Sequence, residues 1–435
     1  MRMLFSKSRI KRLSKEFSWV VVGQVLAVLG ALVLLRVLTE RLEPAEFGIL
    51  ALSLTIVTLI NIVATQGVMN GIVRYYSVAD DQNDVLAYLL SSFKLLSYFS
   101  FLILGFGIVA ILILVWRGGS EYLALLIAVL LTAITGGFNG CLNGINNAAR
   151  QRSIVAFHIT LEPILKILFV LSAALWFDIS ATLVLACYAL AFIVIMVSQI
   201  FFLHRSHDMQ GVLSAEASEQ DWIKMILIFS WPMMIWGIFG WAQISSTRWA
   251  LQFYGSMADV GYYSILSQVG YVPIQTLMGV FMAFLTPIIY SMAGDARDGS
   301  RRENVNRLTN WICLLGIMIT ALATLFSFFF NEQILSIFVA REYLVISKYL
   351  PVMVAAGGIL GVALVVAAKH LSFLSSKQLI PASIGSAIIG VIAAFVGVYL
   401  YSFTGAVFAM LLHSVSYLFM LLMVSSAMAA KDETN

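Results

Sequence analysis

Stretches of twenty or more mostly apolar residues follow one another from one end of this chain to the other. Each is long enough to cross a ~30 Å hydrocarbon core as a helix. They read as helices over 18–38, 46–68, 88–115, 121–142, 154–176, 180–203, 223–246, 259–286, 308–330, 345–368, 379–400 and 404–428. A chain that is 61% hydrophobic and 11% charged lies far outside the composition of a soluble globular domain. The expected fold class is an all-α integral membrane protein with twelve transmembrane helices.

The twelve fall into two sets of six that echo each other. Phe17-Ser18-Trp19 recurs as Phe229-Ser230-Trp231, and Arg36 recurs as Arg248 at the same offset of 212. Glu46-Phe47-Gly48 answers Asp259-Val260-Gly261. Tyr76-Ser77-Val78-Ala79-Asp80 answers Tyr290-Ser291-Met292-Ala293-Gly294-Asp295, the offset drifting only to 214. Four landmarks in one order mark an internal repeat, a signature of secondary transporters. The repeat divides the chain into a six-helix lobe 1–203, a cytoplasmic linker 204–221 and a six-helix lobe 222–435. An even number of helices per lobe leaves both in one orientation, so their pseudo-twofold axis is expected along the membrane normal.

Charges sorted by side give the orientation. With the N-terminus inside, nineteen Lys and Arg residues fall on inner segments, against five outside: Arg41, Arg117, Arg248, Arg341 and Lys348. The positive-inside rule then places both termini in the cytoplasm. The basic start followed by an apolar run resembles a signal peptide. Residues 18–38 are too long for one and lack a small-residue cleavage site, so they count as helix one. Cys141, Cys187 and Cys313 all fall inside spans and suggest neither a disulfide framework nor a zinc site.

The connections exclude most chemistry. The longest polar one, about His204 to Asp221, is too short for a folded domain. The sequence has no G-x-x-x-x-G-K-[ST], H-E-x-x-H, Cys-x-x-Cys or G-x-S-x-G. No catalytic residue, metal site, ATP site or nucleic-acid partner is expected. Short outer loops leave little room for a glycosyltransferase, polymerase or ligase. A transporter is the default class, with no cofactor and a coupling ion, Na+ or H+, left open.

Polar residues within the spans are the candidate site. Arg36 and Arg248 sit near the outer ends of helices one and seven, which the repeat makes counterparts. Two readings stand: each guanidinium snorkels to the interface, or the two face a shared cavity as a fork for phosphate oxygens. Helix five carries His158, Glu162 and Lys166 on one face, with Pro163 as a hinge. Glu162 and Lys166 are either a self-neutralised pair or a coupling or cavity pair. Gln66, Asn70 and Arg74 in helix two, Lys94 in helix three, and Ser264, Gln268, Tyr271 and Gln275 in helix eight add polar stripes suited to a hydrated cavity. Trp241 shares a helix face with Arg248 and suits either sugar stacking or an interfacial belt. Gly136, Gly140 and Gly144 suggest close packing, and Gly357, Gly358 and Gly361 suggest a flexing point.

The start of each half carries a family resemblance. The first shows a basic N-terminus, Phe-Ser-Trp, Gly23-Gln24, Arg36-Val37-Leu38 and Pro44-Ala45-Glu46-Phe47-Gly48; the second shows Ser230-Trp231-Pro232, Arg248 and Ala258-Asp259-Val260-Gly261-Tyr262-Tyr263. This resembles the polysaccharide flippase family of the multidrug/oligosaccharidyl-lipid/polysaccharide exporter superfamily. The resemblance implies two six-helix lobes around a cavity opening alternately to each side. It also implies export of a lipid-linked oligosaccharide, on an undecaprenyl pyrophosphate carrier, across the bacterial inner membrane. Arg36, Arg74, Lys94, Trp241, Arg248 and Gln268 would then line a cationic cavity for that anionic lipid. Membrane lipids and polysaccharide polymerase machinery are the implied partners of a monomer. One departure is Thr247, where the family often has an acidic residue before the arginine.

The runner-up is an ion-coupled multidrug exporter of the same superfamily, which would need cavity carboxylates; here only Glu162 qualifies. Major facilitator transporters share the six-plus-six count but have a basic loop after helix two. Here that loop is acidic, with Asp80, Asp81 and Asp84.

Overall fold

The computed structural model of the chain describes residues 7–82, 84–206, 219–294, 299–373 and 376–433. Most of the expected linker, 207–218, lies outside the described residues. The helices of the first half are α1 (Lys7–Thr39), α2 (Pro44–Asn61), α3 (Gly67–Asp81), α4 (Val85–Trp116), α5 (Leu123–Ala148), α6 (Arg152–Ala173) and α7 (Ala181–Ser206). Those of the second are α8 (Glu219–Tyr254), α9 (Met257–Gly270), α10 (Val272–Ala293), α11 (Gly299–Phe329), α12 (Asn331–Phe338), α13 (Leu350–Ser372) and α14 (Ser376–Glu433).

Among the described residues, eleven helical stretches are long and apolar enough to cross a membrane. The last, Leu379–Ser426, has 48 residues, about twice what a ~30 Å core requires. It breaks at Ser402, where φ of 50° and ψ of −131° leave the helical region. The chain turns back there. A Cβ on Gly405 would overlap the carbonyl of Gly397, eight positions earlier, whereas a continuous helix would hold those positions ~12 Å apart. Only a residue without a side chain lets the two arms approach this closely. Two crossings therefore replace one, and the twelve spans expected from sequence are present.

Local chemistry sets the helix starts. α9 opens on a capping box, with Asp259 N–H donating to Ser256 Oγ at 3.1 Å and Ser256 N–H donating to the Asp259 carboxylate at 3.0 Å. Pro44 and Pro351 stand in the first turns of α2 and α13, where a missing N–H costs nothing. Two boundaries differ from expectation. α8 continues to Tyr254, so Arg248 lies inside the helix, and a 3₁₀ segment, Arg341–Tyr349, precedes α13.

Packing groups the chain into two compact units. The first comprises Met1–Leu34 and Leu50–Trp241, the second Leu35–Ile49 and Ala242–Asn435. These boundaries cut α1, α2 and α8. In the first unit, Val68 and Ile72 of α3, Tyr88 of α4, Leu142 of α5, and Trp222 and Ile226 of α8 form one buried cluster. It is pinned by the Trp222 indole N–H on Asp84 at 2.8 Å. α1 lies parallel to α6, since Gly23 meets Ala156 and Gly30 meets the Pro163 ring, seven positions on along both helices. Pro163 thus serves as a knob against α1.

In the second unit α11 packs on α13 through Gly358 against Thr320 and Gly316 against Val362, an antiparallel register. Gly357 and Gly361 face Ile274 and Met278 of α10. The glycines expected to flex are packing positions.

Candidate functional site

Gly48 and Gly261, matched in the sequence repeat, lie against each other in the second unit. A Cβ on Gly48 would run into the carbonyl of Met257, and one on Gly261 into the carbonyl of Pro44. The same Cβ positions lie 3.2 Å from Gly261 N and 3.1 Å from Gly48 N, respectively. Pro44 and Met257 are related by the same offset as Gly48 and Gly261. The contact is therefore reciprocal, as across a twofold axis. The first turns of α2 and α9 meet about a local twofold, backbone to backbone.

The chain fastens this meeting point with a segment that breaks the symmetry. Six residues (117–122) connect α4 to α5, but twenty (330–349) connect α11 to α13 in the second half. The longer connection holds α12 and the 3₁₀ segment, which grip the end of α1. Arg36 Nη1 donates to the carbonyls of Ser336, at 2.9 Å, and Val339, where α12 leaves backbone acceptors free. Its Nε donates to Glu40 at 2.7 Å. Ala340 N–H donates to Thr39 Oγ1 at 3.1 Å, and the Tyr343 hydroxyl donates to the Leu42 carbonyl at 2.6 Å. The buried Tyr343 ring meets Phe47 and Tyr262 edge-on, centroids 6.4 and 5.8 Å apart. In this state Arg36 caps a helix end.

Both helices that begin at the glycine contact are interrupted part-way. A π-helical turn, Ile62–Gln66, separates α2 from α3, and α9 stops at Gly270 before α10 resumes at Val272. Interrupted helices at corresponding places in two repeats are the best pointer to a transporter's binding site. The second break interrupts what the sequence suggests is one helix over 259–286, with Ser264, Gln268, Tyr271 and Gln275 on one stripe; Gly270 and Pro273 stand at the break, and the π turn contains neither glycine nor proline. In the first unit, Gly137 of α5 packs directly on Thr65 within that turn and on Asn61 just before it.

Arg248 stands near the second break. Its Nε donates to Ser264 Oγ of α9 at 2.9 Å, and its guanidinium carbon lies 5.9 Å from the Tyr263 ring centroid. Among the described residues no carboxylate pairs with it. Gln268 is half-buried one turn along α9 from Ser264. Gln275, past the break, donates to the Gly357 carbonyl at 2.6 Å.

The other expected site residues belong to the first unit. Lys166 Nζ donates to Glu162 at 2.6 Å and lies over the Tyr188 and Phe192 rings, 4.6 and 4.4 Å from their centroids. The cation is enclosed by its own helix and by α7. Glu162→Gln alone should then lower the thermal midpoint of the purified protein, because it strands a charge; adding Lys166→Met should restore most of it. An unchanged midpoint in the single variant would show that the pair holds nothing together. The Trp241 indole donates to the Thr55 carbonyl at 2.8 Å, which fixes the ring against α2. Arg74 and Lys94 are exposed. Of the α5 ridge, Gly136 and Gly144 pack on Phe192 and Met69, while Gly140 faces open space. The adjacent Asn139 and Asn143 both accept from Gln199 of α7, at 2.8 and 3.0 Å.

Residues 13–293 match the family of polysaccharide biosynthesis proteins. The chain belongs to that family. No match was found among curated protein sequences. Among solved structures, this family member is similar to an inward-facing multidrug resistance MATE family transporter of the MOP superfamily. Identity is 15%, with 95% of this chain and 96% of that chain covered and a TM-score of 0.72. An outward-facing MATE family transporter matches at 14% identity, 95% and 94% coverage and TM-score 0.57. The lipid II flippase MurJ in an inward closed conformation matches at 12% identity, 94% and 87% coverage and TM-score 0.67. At these identities the likeness establishes the shared fold: twelve helices in two lobes. The polysaccharide biosynthesis family member is thus a multi-pass membrane protein.

Proposed function

We propose that this protein is a flippase. It moves a lipid-linked oligosaccharide, on an undecaprenyl pyrophosphate carrier, from the cytoplasmic to the periplasmic leaflet by alternating access, for surface polysaccharide biosynthesis. The observation that carries the reading is the contrast between two charges: Arg248 has no carboxylate partner among the described residues, whereas Glu162 is neutralised by Lys166. An uncompensated guanidinium within a span attracts phosphate oxygens. An exporter of cationic drugs needs the reverse. Family membership supports the polysaccharide context, and the fold shared with the lipid II flippase MurJ supports movement across a bilayer.

In this reading the repeat halves 1–203 and 222–435 are the moving bodies and 204–221 their cytoplasmic linker. The protein works as a monomer in the bacterial inner membrane with both termini inside, and polymerase machinery takes its product. Arg74, Lys94, Trp241 and Gln268 line the path. Arg36 is held at the outer end while that end is shut and joins Arg248 when it opens. Na+ or H+ drives the cycle, with Glu162 and Lys166 in the lobe that responds.

Reconstitution into liposomes tests the function. Fluorescent undecaprenyl-pyrophosphate oligosaccharide should become accessible to a membrane-impermeant quencher far faster than in protein-free liposomes, while a cationic dye should not be transported. Dye transport without lipid movement would instead establish the drug exporter.

A further inference from the structure

A groove of about 650 Å³ runs between α11 and α13 in the second unit, away from the residues assigned above. On α11 it extends from Ile317 to Phe328; on α13 it takes in Pro351, Ala355 and Val362, with Leu418 of α14 as its floor. Among the described residues, Thr320 and Thr324 are its only polar lining residues; the Thr324 hydroxyl is buried, and Thr320 donates to the Gly316 carbonyl of its own helix. Along α11, eleven residue steps correspond to ~16 Å, about half of a ~30 Å hydrocarbon core. The groove is therefore one leaflet deep. One end lies where α11 finishes and α13 starts, at the membrane edge, and the other lies mid-span. α11 presents large exposed apolar side chains beside it, among them Leu322 and Phe326.

The edge carries a cation. Lys348 precedes Pro351 by three positions at the end of the 3₁₀ segment, a spacing that stacks side chains on one face. Its Nζ lies 5.1 Å from the Tyr349 ring centroid, and among the described residues no carboxylate pairs with it. Tyr349 is held in place by its hydroxyl, 2.7 Å from Thr404 Oγ1 at the turn of α14. Glu342 shares the 3₁₀ face, two turns further from the groove.

We infer that this groove is a binding site for an anionic phospholipid of the bilayer, with one acyl chain in the groove and the headgroup phosphate at Lys348. The one-leaflet depth matches an acyl chain; a long polyprenyl tail would overrun it. None of the residues proposed for the transport path lines the groove, and the segment that grips α1 runs between the same two helices, α11 and α13. Bound lipid thus acts on the α11–α13 pair that carries that segment.

Native mass spectrometry of the full-length protein tests the assignment, with phosphatidylglycerol and phosphatidylcholine supplied in a neutral detergent. Wild type should retain phosphatidylglycerol in preference to phosphatidylcholine. Lys348→Gln should retain phosphatidylglycerol about fivefold less, the effect of one lysine near an anionic surface. Lys348→Arg should keep it, and Ala355→Trp, which fills the groove, should lose both lipids. Lys348 is exposed, so its variants leave the fold untouched and decide the question even if Ala355→Trp does not fold. Equal retention by wild type and Lys348→Gln would overturn the site. Undecaprenyl phosphate supplied in a parallel run should be retained equally by wild type and Lys348→Gln; a loss of it in Lys348→Gln would overturn the phospholipid as the groove's occupant.

Discussion

Gly48→Ala should abolish polysaccharide export while leaving the protein abundant in the membrane. The added methyl has no flexible neighbour to displace. It meets the Met257 carbonyl, part of the first turn of α9, and that turn is fixed by the Ser256–Asp259 capping box. Overpacking of this kind costs about 1–3 kcal/mol. Because the cost falls only on the state in which α2 and α9 meet, it shifts the conformational balance roughly 5- to 150-fold. Gly261→Ala should do the same through Pro44. The double variant should cost less than the sum of the singles, since either methyl already parts the two helices. Accessibility of a cysteine placed at Phe47 or Tyr262 reads the balance directly, and complementation reads export. Full export by Gly48→Ala with unchanged accessibility would remove the contact from the transport cycle.

Arg248→Gln should abolish export with the accessibility at Phe47 unaltered, because it removes a substrate contact and leaves the fastening intact. A charge-assisted hydrogen bond contributes about 1.5–3 kcal/mol, so affinity for undecaprenyl pyrophosphate should fall roughly ten- to hundredfold. Arg248→Lys keeps the charge but loses both the Nε bond to Ser264 and the planar fork, and should fall between wild type and Arg248→Gln. Free replacement by lysine would mean that the side chain only reaches for the interface. Arg36→Gln separates the two roles. It releases the α12 carbonyls, so accessibility at Phe47 should rise as well as export fall. Full export by a well-expressed Arg36→Gln, Arg248→Gln double variant would defeat the phosphate-site reading altogether.

The parts of this fold legible in the sequence are those set by hydrophobicity and by repetition. All twelve spans could be read, including the reversal near Ser402 that one unbroken helical assignment conceals, although α8 runs eight residues past its expected end and α11 starts nine before its expected start. The pairing of Gly48 with Gly261, and of Arg36 with Arg248, followed from the repeat register. The sequence did not reveal that the two glycines touch, because equivalence under symmetry does not imply proximity to the axis. The grip on Arg36 was hidden for a different reason. Its partners at Ser336 and Val339 are backbone carbonyls, and a carbonyl has no sequence signature. The π turn at Ile62–Gln66 was invisible because it shifts backbone register without proline or glycine. α12 was missed because eight residues are too few for periodicity to stand out between two long apolar runs.

The unequal connections, 117–122 and 330–349, leave the two halves of the chain mechanically unlike. A duplicated chain begins with halves whose movements are interchangeable, and a cycle built on it has no preferred waiting position. Lengthening a single loop ends that equality. In the proposed cycle the four hydrogen bonds to residues 36–42 and the Tyr343–Phe47 ring contact are broken each time the α1 end lets go, and among the described residues the six-residue connection of the first half makes no such clasp. In the cycle proposed above, freeing the α1 end therefore requires work that the first half does not ask for, and the coupling ion is what supplies it.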